Sequence, residues 1–239
     1  MRKLLLLSFA TLLAPALSAQ SVDFVLSQHG NAVGTASYSI TQTPQGFDST
    51  SLVRVQMKGL SYSLSKTEHL SPTSGLRHVQ LSAIVNGSAV NVNADSDPKA
   101  EPAETVLIIS ANGRSTTTHL AQHSAAVFLP DFDPGALQTL LTLAAARNNR
   151  DLWAIIPKNA GSIASIELAT YADERGTLDG QPIAVHHLIA TYAGGSTDLF
   201  SGPDNQLLQA ELPQPGFALV RKGFILTPPA KPGAPPPAQ

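Results

Sequence analysis

Seven histidines are the residues of this 239-residue chain best suited to acid–base or metal chemistry, since it contains no cysteine. His119 and His123 stand four apart, the spacing that aligns two imidazoles on a helix and suits zinc. Their surroundings, Thr116 to Thr118 and then Ala125 to Val127, read instead as strand and turn, and no third ligand follows at a diagnostic spacing. His186 and His187 fall within an alternating strand, so their rings are expected on opposite faces and cannot chelate one ion without a bulge. His187 shares its face with Ile183, Val185 and Ile189, which marks it as a core or ligand-lining histidine rather than a catalytic one. The run Asp131-Phe132-Asp133-Pro134-Gly135 has the outline of a calcium loop but lacks its further acidic ligand and closing glutamate. Asp95, Asp97, Glu101 and Glu104 surround prolines and are expected in a solvated loop.

Nucleophile motifs are absent. There is no Gly-x-Ser-x-Gly elbow, no Ser-x-x-Lys with partner motifs, no His-Glu-x-x-His and no glycine-rich phosphate loop. Thiol chemistry is excluded by composition. No catalytic residue, metal site or cofactor is therefore assigned, and a hydrolase using unidentified residues stands only as an alternative. With 15 basic and 17 acidic residues the net charge is -2, which leaves no basic footprint for nucleic acid. Charged residues at 13% argue against a coiled coil, and 43% apolar content argues against whole-chain disorder.

The elements that must position any site are mostly strands. Ala32, Gly34, Ala36, Tyr38 and Ile40 alternate with Thr35, Ser37, Ser39 and Thr41. Leu60, Tyr62 and Leu64 alternate with Ser61, Ser63 and Ser65 in the same way. Val79 to Val85 and Val90 to Ala94 flank Asn86-Gly87, the preferred pair for a tight hairpin, and Asn112-Gly113 repeats the signal. The polar faces carry serine and threonine rather than charge, so the sheet must curve strongly or be covered in part. One helix is expected from about Pro134 to Asn148, capped by Asp133, with an apolar stripe of Leu137, Leu140, Leu141 and Ala144. Strands resume at Asp151 to Pro157 with the only tryptophan, Trp153, and continue through Ile163 to Tyr171 and Ile183 to Tyr192. The fold class is mainly β: a curved antiparallel sheet, half-barrel or open barrel, with one central amphipathic helix.

The ends have other roles. Arg2 and Lys3, the apolar run Leu4 to Leu13, and the small residues Ala16, Ser18 and Ala19 read as a signal peptide over residues 1–19. No later run is long enough to span a membrane as a helix. A single β-rich domain is expected over 20–226. Residues 227–239, TPPAKPGAPPPAQ, form a proline-rich extended tail. The chain is thus expected in the periplasm or secreted, without a lipobox cysteine or disulfide.

The order of features resembles the periplasmic half-barrel proteins related to the bacterial lipoprotein carrier, and their uncharacterised envelope relatives. That order is a signal peptide, a strand meander, an Asp-Pro helix, and the closing phrase from Asp198-Leu199-Phe200 to Leu207-Leu208-Gln209-Ala210-Glu211-Leu212-Pro213. The resemblance implies a sheet curved around helices with a cavity for acyl chains. A single helix and hydroxyl-rich faces depart from that pattern, and no functional residue of the carrier is carried over. The expected activity is non-enzymatic binding of a hydrophobic or amphiphilic, lipid-like ligand in a concave cavity, with Leu137, Leu140, Leu141, Trp153 and His187 as candidate lining. An envelope scaffold without a small ligand, with an envelope protein as partner, is the alternative.

Overall fold

Period-two alternation of apolar and hydroxyl side chains produces a sheet with one dry and one wet face, and that sheet dominates the molecule. The computed structural model describes residues 21–97, 99–158 and 160–228. The segment expected to be a signal peptide, residues 1–19, and the expected tail beyond Pro228 lie outside the described residues. Eight strands form a continuous antiparallel meander: β1 (Val22–Gln28), β2 (Asn31–Thr43), β3 (Gly46–Met57), β4 (Leu60–Leu70), β5 (Leu76–Val85), β6 (Ser88–Asp97), β7 (Glu104–Ala111) and β8 (Arg114–Ala121). The short β9 (Ala126–Phe128) leads into the helix α1 (Pro134–Ala146). The chain then runs through β10 (Leu152–Ile156), β11 (Ser162–Thr170), β12 (Glu174–Leu178), β13 (Gln181–Tyr192), β14 (Gly195–Ser201), β15 (Leu207–Glu211), β16 (Phe217–Arg221) and β17 (Phe224–Leu226).

Pairing of β16 with β1 joins the two halves, so the wall continues from β1 through β16, β15, β14, β13 and β11 to β10 and β9. Among the described residues β8 pairs with β7 and β9 with β10, with no register between β8 and β9, so the barrel is open there. Two features depart from the simple meander. β9 runs parallel to β10, the consequence of placing the helix between them. Glu174–Leu178, between the strands expected at Ile163 to Tyr171 and Ile183 to Tyr192, form β12, which pairs with the first half of β13 and with β17. Together β12 and β17 help enclose a small second core of Val185, Phe200, Leu208 and Phe224.

The main core fills the barrel. Inward residues such as Phe24, Leu26, Val53, Val79, Leu107, Leu199 and Leu219 meet the helix residues Leu137, Leu140, Leu141 and Leu143. The helix is more deeply placed than a one-sided stripe predicts. Pro134 through Leu141, with Leu143 and Ala144, are all buried, because the barrel surrounds the helix. No charge lies between Pro134 and Ala146 to resist this. Gly135 permits the closest approach: a Cβ there would stand 2.3 Å from Ser51 Oγ and 3.1 Å from Tyr38 Cβ. The acidic cluster is corrected as well. Asp95 and Asp97 lie on β6 and Glu104 on β7, with Asp95 and Glu104 answered by His78 and His119 across the sheet, while Glu101 lies in the exposed connection between the two strands.

The Asn-Gly turns behave as their chemistry requires. Asn86 and Gly87 have φ of 48° and 84°, and Asn86 Oδ1 accepts from the Ser61 amide. Gly87 has open space around it, so its role is conformational alone. Gly87→Val is expected to cost about 1–2 kcal/mol, the penalty of a left-handed L-residue. The urea midpoint reads this, and an unchanged midpoint refutes it.

Candidate functional site

A largely apolar concave feature lies at one rim of the barrel, where the chain enters the helix. The 129–133 segment, the end of β10, the β13–β14 turn and the β15–β16 loop enclose a cavity of about 340 Å³. Leu129, Phe132, Leu137, Ile156, Tyr192 and Leu212 supply its apolar lining. Phe132 holds φ at 60°, an uncommon conformation for a bulky residue. Two aromatic neighbours fix it there: Tyr62, edge-on at 5.5 Å, and Phe217 at 5.1 Å.

Polar groups cluster on one side of this cavity around Asp131. Its Oδ1 lies 2.7 Å from Lys158 Nζ and accepts from Gln214 Nε2 at 2.7 Å. The Tyr62 hydroxyl donates to the Asp131 carbonyl at 3.3 Å. Burial, reinforced by Asp131 and Asp133, holds the Tyr62 phenol far above its usual range. Burial likewise raises the Tyr192 phenol, partly offset by its hydrogen bond with Thr197. Both phenols therefore stay protonated and act as neutral hydrogen-bonding groups. The arrangement can bind and orient a small molecule by shape, apolar contact and a paired charge.

Directly behind the cavity floor is a buried ionic cluster. Asp133, which also borders the cavity, caps α1 by accepting from the Gly135 amide at 2.9 Å and the Ala136 amide at 3.3 Å. Its other oxygen lies 2.7 Å from Lys66 Nζ, and Lys66 Nζ lies 3.0 Å from Glu68 Oε2. All three side chains have no solvent exposure. Burial alone favours a neutral Lys66 amine, but Asp133 and Glu68 outweigh it and hold the ammonium above its usual range. Burial pushes Glu68 upward, with Lys66 only partly opposing it. Ser49 and Ser51, opposite Glu68 and Lys66 in register, complete a polar patch inside the barrel.

The residues expected to line a site are not brought together. Leu137 borders the cavity, whereas Leu140 and Leu141 are buried in the main core. Trp153 stacks on His123 at 3.7 Å. His187 packs against Phe200 at 4.5 Å and Tyr171 at 5.1 Å, with Nδ1 3.3 Å from Glu174 and Nε2 3.5 Å from Asp198. His186 pairs with a different carboxylate, Asp173, and His119 pairs with Glu104. Among the described residues, no three or more histidines and carboxylates converge as a metal site. Asp131, Lys158, Tyr192 and the cluster of Lys66, Glu68 and Asp133 are the additions from the structure. For Lys66 and Glu68 a signal existed: they continue, two residues at a time, the inward face that begins at Leu64 and resumes at Leu70.

With this geometry in hand, comparison with known proteins bears on the fold. No protein-family model matches the chain, and no curated protein matches it. Among solved structures, the chain is similar to a β-barrel-like protein of a domain of unknown function (DUF1849) from Brucella abortus. The likeness has a TM-score of 0.54 at 10% identity and covers 87% of this chain and 97% of the other. The chain thus has a mainly β, barrel-like fold, with one helix among the described residues, and at that identity the likeness shows the fold alone.

Proposed function

We propose that this chain is an extracytoplasmic binding protein, non-enzymatic, that takes a small hydrophobic or amphiphilic molecule at the rim cavity. The observation that carries this reading is the cavity itself: about 340 Å³, largely apolar, with Asp131 and Lys158 together on one side. Its size falls at the lower end of the range for small-ligand pockets, and its mix of apolar lining with few polar groups is usual for them. An acyl chain running through the barrel, as the carrier resemblance implies, would have to displace α1. The rim suits a short chain or a compact amphiphile. Export from the cytoplasm rests on the signal-like segment of residues 1–19.

Displacement of a fluorescent short-chain amphiphile tests the reading, alongside native mass spectrometry of gently purified protein. Ser162 borders the cavity and is exposed, so Ser162→Trp can fill the space from the solvent side. The expected result is saturable binding by the wild type, weakened at least tenfold by Ser162→Trp with melting temperature preserved. A wild type that binds no amphiphile and carries no added mass overturns the proposal.

A further inference from the structure

The outer wall carries an arrangement that the rim cavity does not use. His69 on β4 and His78 on β5 are directly opposite each other in the antiparallel register. Their ring centroids are 5.9 Å apart and their planes differ by 21°. Each has an aspartate on the strand away from the other histidine: Asp48 of β3 opposes His69, and Asp95 of β6 opposes His78. Both Nδ1 atoms lie 2.7 Å from those carboxylates. Four neighbouring strands therefore carry the row Asp48, His69, His78, Asp95.

A carboxylate at Nδ1 fixes the tautomer with its proton there and leaves Nε2 as the nitrogen with a free lone pair. Nδ1 and Nε2 lie on different edges of an imidazole. The two rings are stacked, and each Nε2 lies on an edge other than the one its carboxylate holds. Neither Nε2 has a protein partner among the described residues, and the two side chains are 46% and 39% exposed. This is the carboxylate-backed presentation by which proteins orient a metal-binding histidine and raise its basicity. Arg77 borders the same depression as Asp48 and His69, and the two aspartates offset its charge and that of an added cation. The pairs His119–Glu104 and His186–Asp173 repeat the backing carboxylate without a second imidazole, so they serve as internal controls.

We propose that His69 and His78 form a two-nitrogen site for a divalent transition-metal ion, with Asp48 and Asp95 as positioning residues and water in the remaining coordination positions. Two imidazoles with open, water-filled positions follow the general order of metal affinity, so copper(II) is expected to bind more tightly than zinc. With only two protein ligands, the ion exchanges readily rather than holding the fold together.

The test is titration of the purified full chain with copper(II) and zinc by calorimetry. It is paired with the broadening of wild-type amide and imidazole NMR signals by substoichiometric copper(II). Broadening is expected first around His69 and His78. His69→Gln and His78→Gln should each weaken copper binding at least tenfold, and Asp48→Asn or Asp95→Asn about tenfold. His119→Gln and His186→Gln should leave it unchanged. Broadening centred elsewhere, undiminished binding in the His69→Gln/His78→Gln double variant, or no binding at all overturns the proposal. The amphiphile assay reads the rim cavity separately, so neither result decides the other.

Discussion

Lys66→Met is expected to lower stability at neutral pH by about 3–5 kcal/mol, because it leaves two carboxylates buried without their cation. The side chains of Lys66, Glu68 and Asp133 are wholly inaccessible, and both ion-pair contacts of the cluster end on Lys66 Nζ. Methionine preserves the length and most of the volume, so the loss is electrostatic rather than a cavity effect. The pH dependence identifies the cause. Without Lys66, nothing opposes the burial that already raises the Glu68 carboxyl, so the neutral acid is favoured and acidification should recover part of the deficit. Denaturant melts at pH 7 and pH 4.5 check this; a deficit equal at both pH values, or below about 1 kcal/mol, refutes it. A further variant separates the cost of breaking the cluster from the worth of having it. Lys66→Met with Glu68→Leu and Asp133→Asn removes every charge yet keeps a helix cap, and it should regain most of the lost stability.

The wild type itself should carry the signature of Glu68. Its carboxyl is raised by burial, with Lys66 opposing incompletely. For an acid whose folded-state pKa lies above the unfolded value of about 4.3, the stabilising contribution is complete below that value. It is lost as pH rises through the folded-state pKa. Glu68→Gln removes the titration, so the difference in stability between the two proteins should change in the variant's favour as pH rises above about 4.3. Lys66 acts at the other end: with its pKa raised, its contribution holds below about 10.4 and fades only in stronger alkali.

What the sequence disclosed depended on whether a signal was local. Alternation along Ala32 to Thr41 and the Asn-Gly pairs at 86–87 and 112–113 are local, and they placed strands and hairpins correctly. Asp133 and Pro134 marked the start of the helix, and Asp133 does cap it. The end came at Ala146, two residues before Asn148, where the last turn gives way to an irregular Arg147. The depth of the helix was also present in the sequence, as thirteen residues without a charge, although the Leu stripe suggested a one-sided amphipath. Burial of Lys66 and Glu68 was hidden for another reason. Their register was legible from Leu64, but charged residues rarely lie buried without partners, and Asp133 is distant in sequence. The rim cavity was illegible because it joins four segments, distant in sequence, that meet only through the pairings that link β9 to β16.

Leu140→Ala should separate the filled interior from the rim site, since it acts on the first without touching the second. Leu140 has no exposed surface and belongs to the main core, whereas Leu137, one turn earlier, borders the cavity. Truncation of a fully buried leucine removes apolar burial and leaves a void that surrounding strands fill only partly, at a cost of about 2–5 kcal/mol. In a domain of this length each kcal/mol corresponds to roughly 2–4 °C in melting temperature, so a fall of several degrees to well over ten is expected. If α1 is packing and the ligand binds at the rim, amphiphile affinity should remain within about twofold of wild type at temperatures where the variant is folded. Ser162→Trp should give the opposite pair of results, with melting preserved and binding lost. A Leu140→Ala protein that melts normally would show that the barrel closes around the helix too loosely to count as a core. One that melts early and also binds amphiphile much more tightly, or takes up longer chains, would place the ligand beneath the helix instead. The two substitutions thus form a double dissociation, and it requires the barrel interior and the rim to respond as separate parts of one fold.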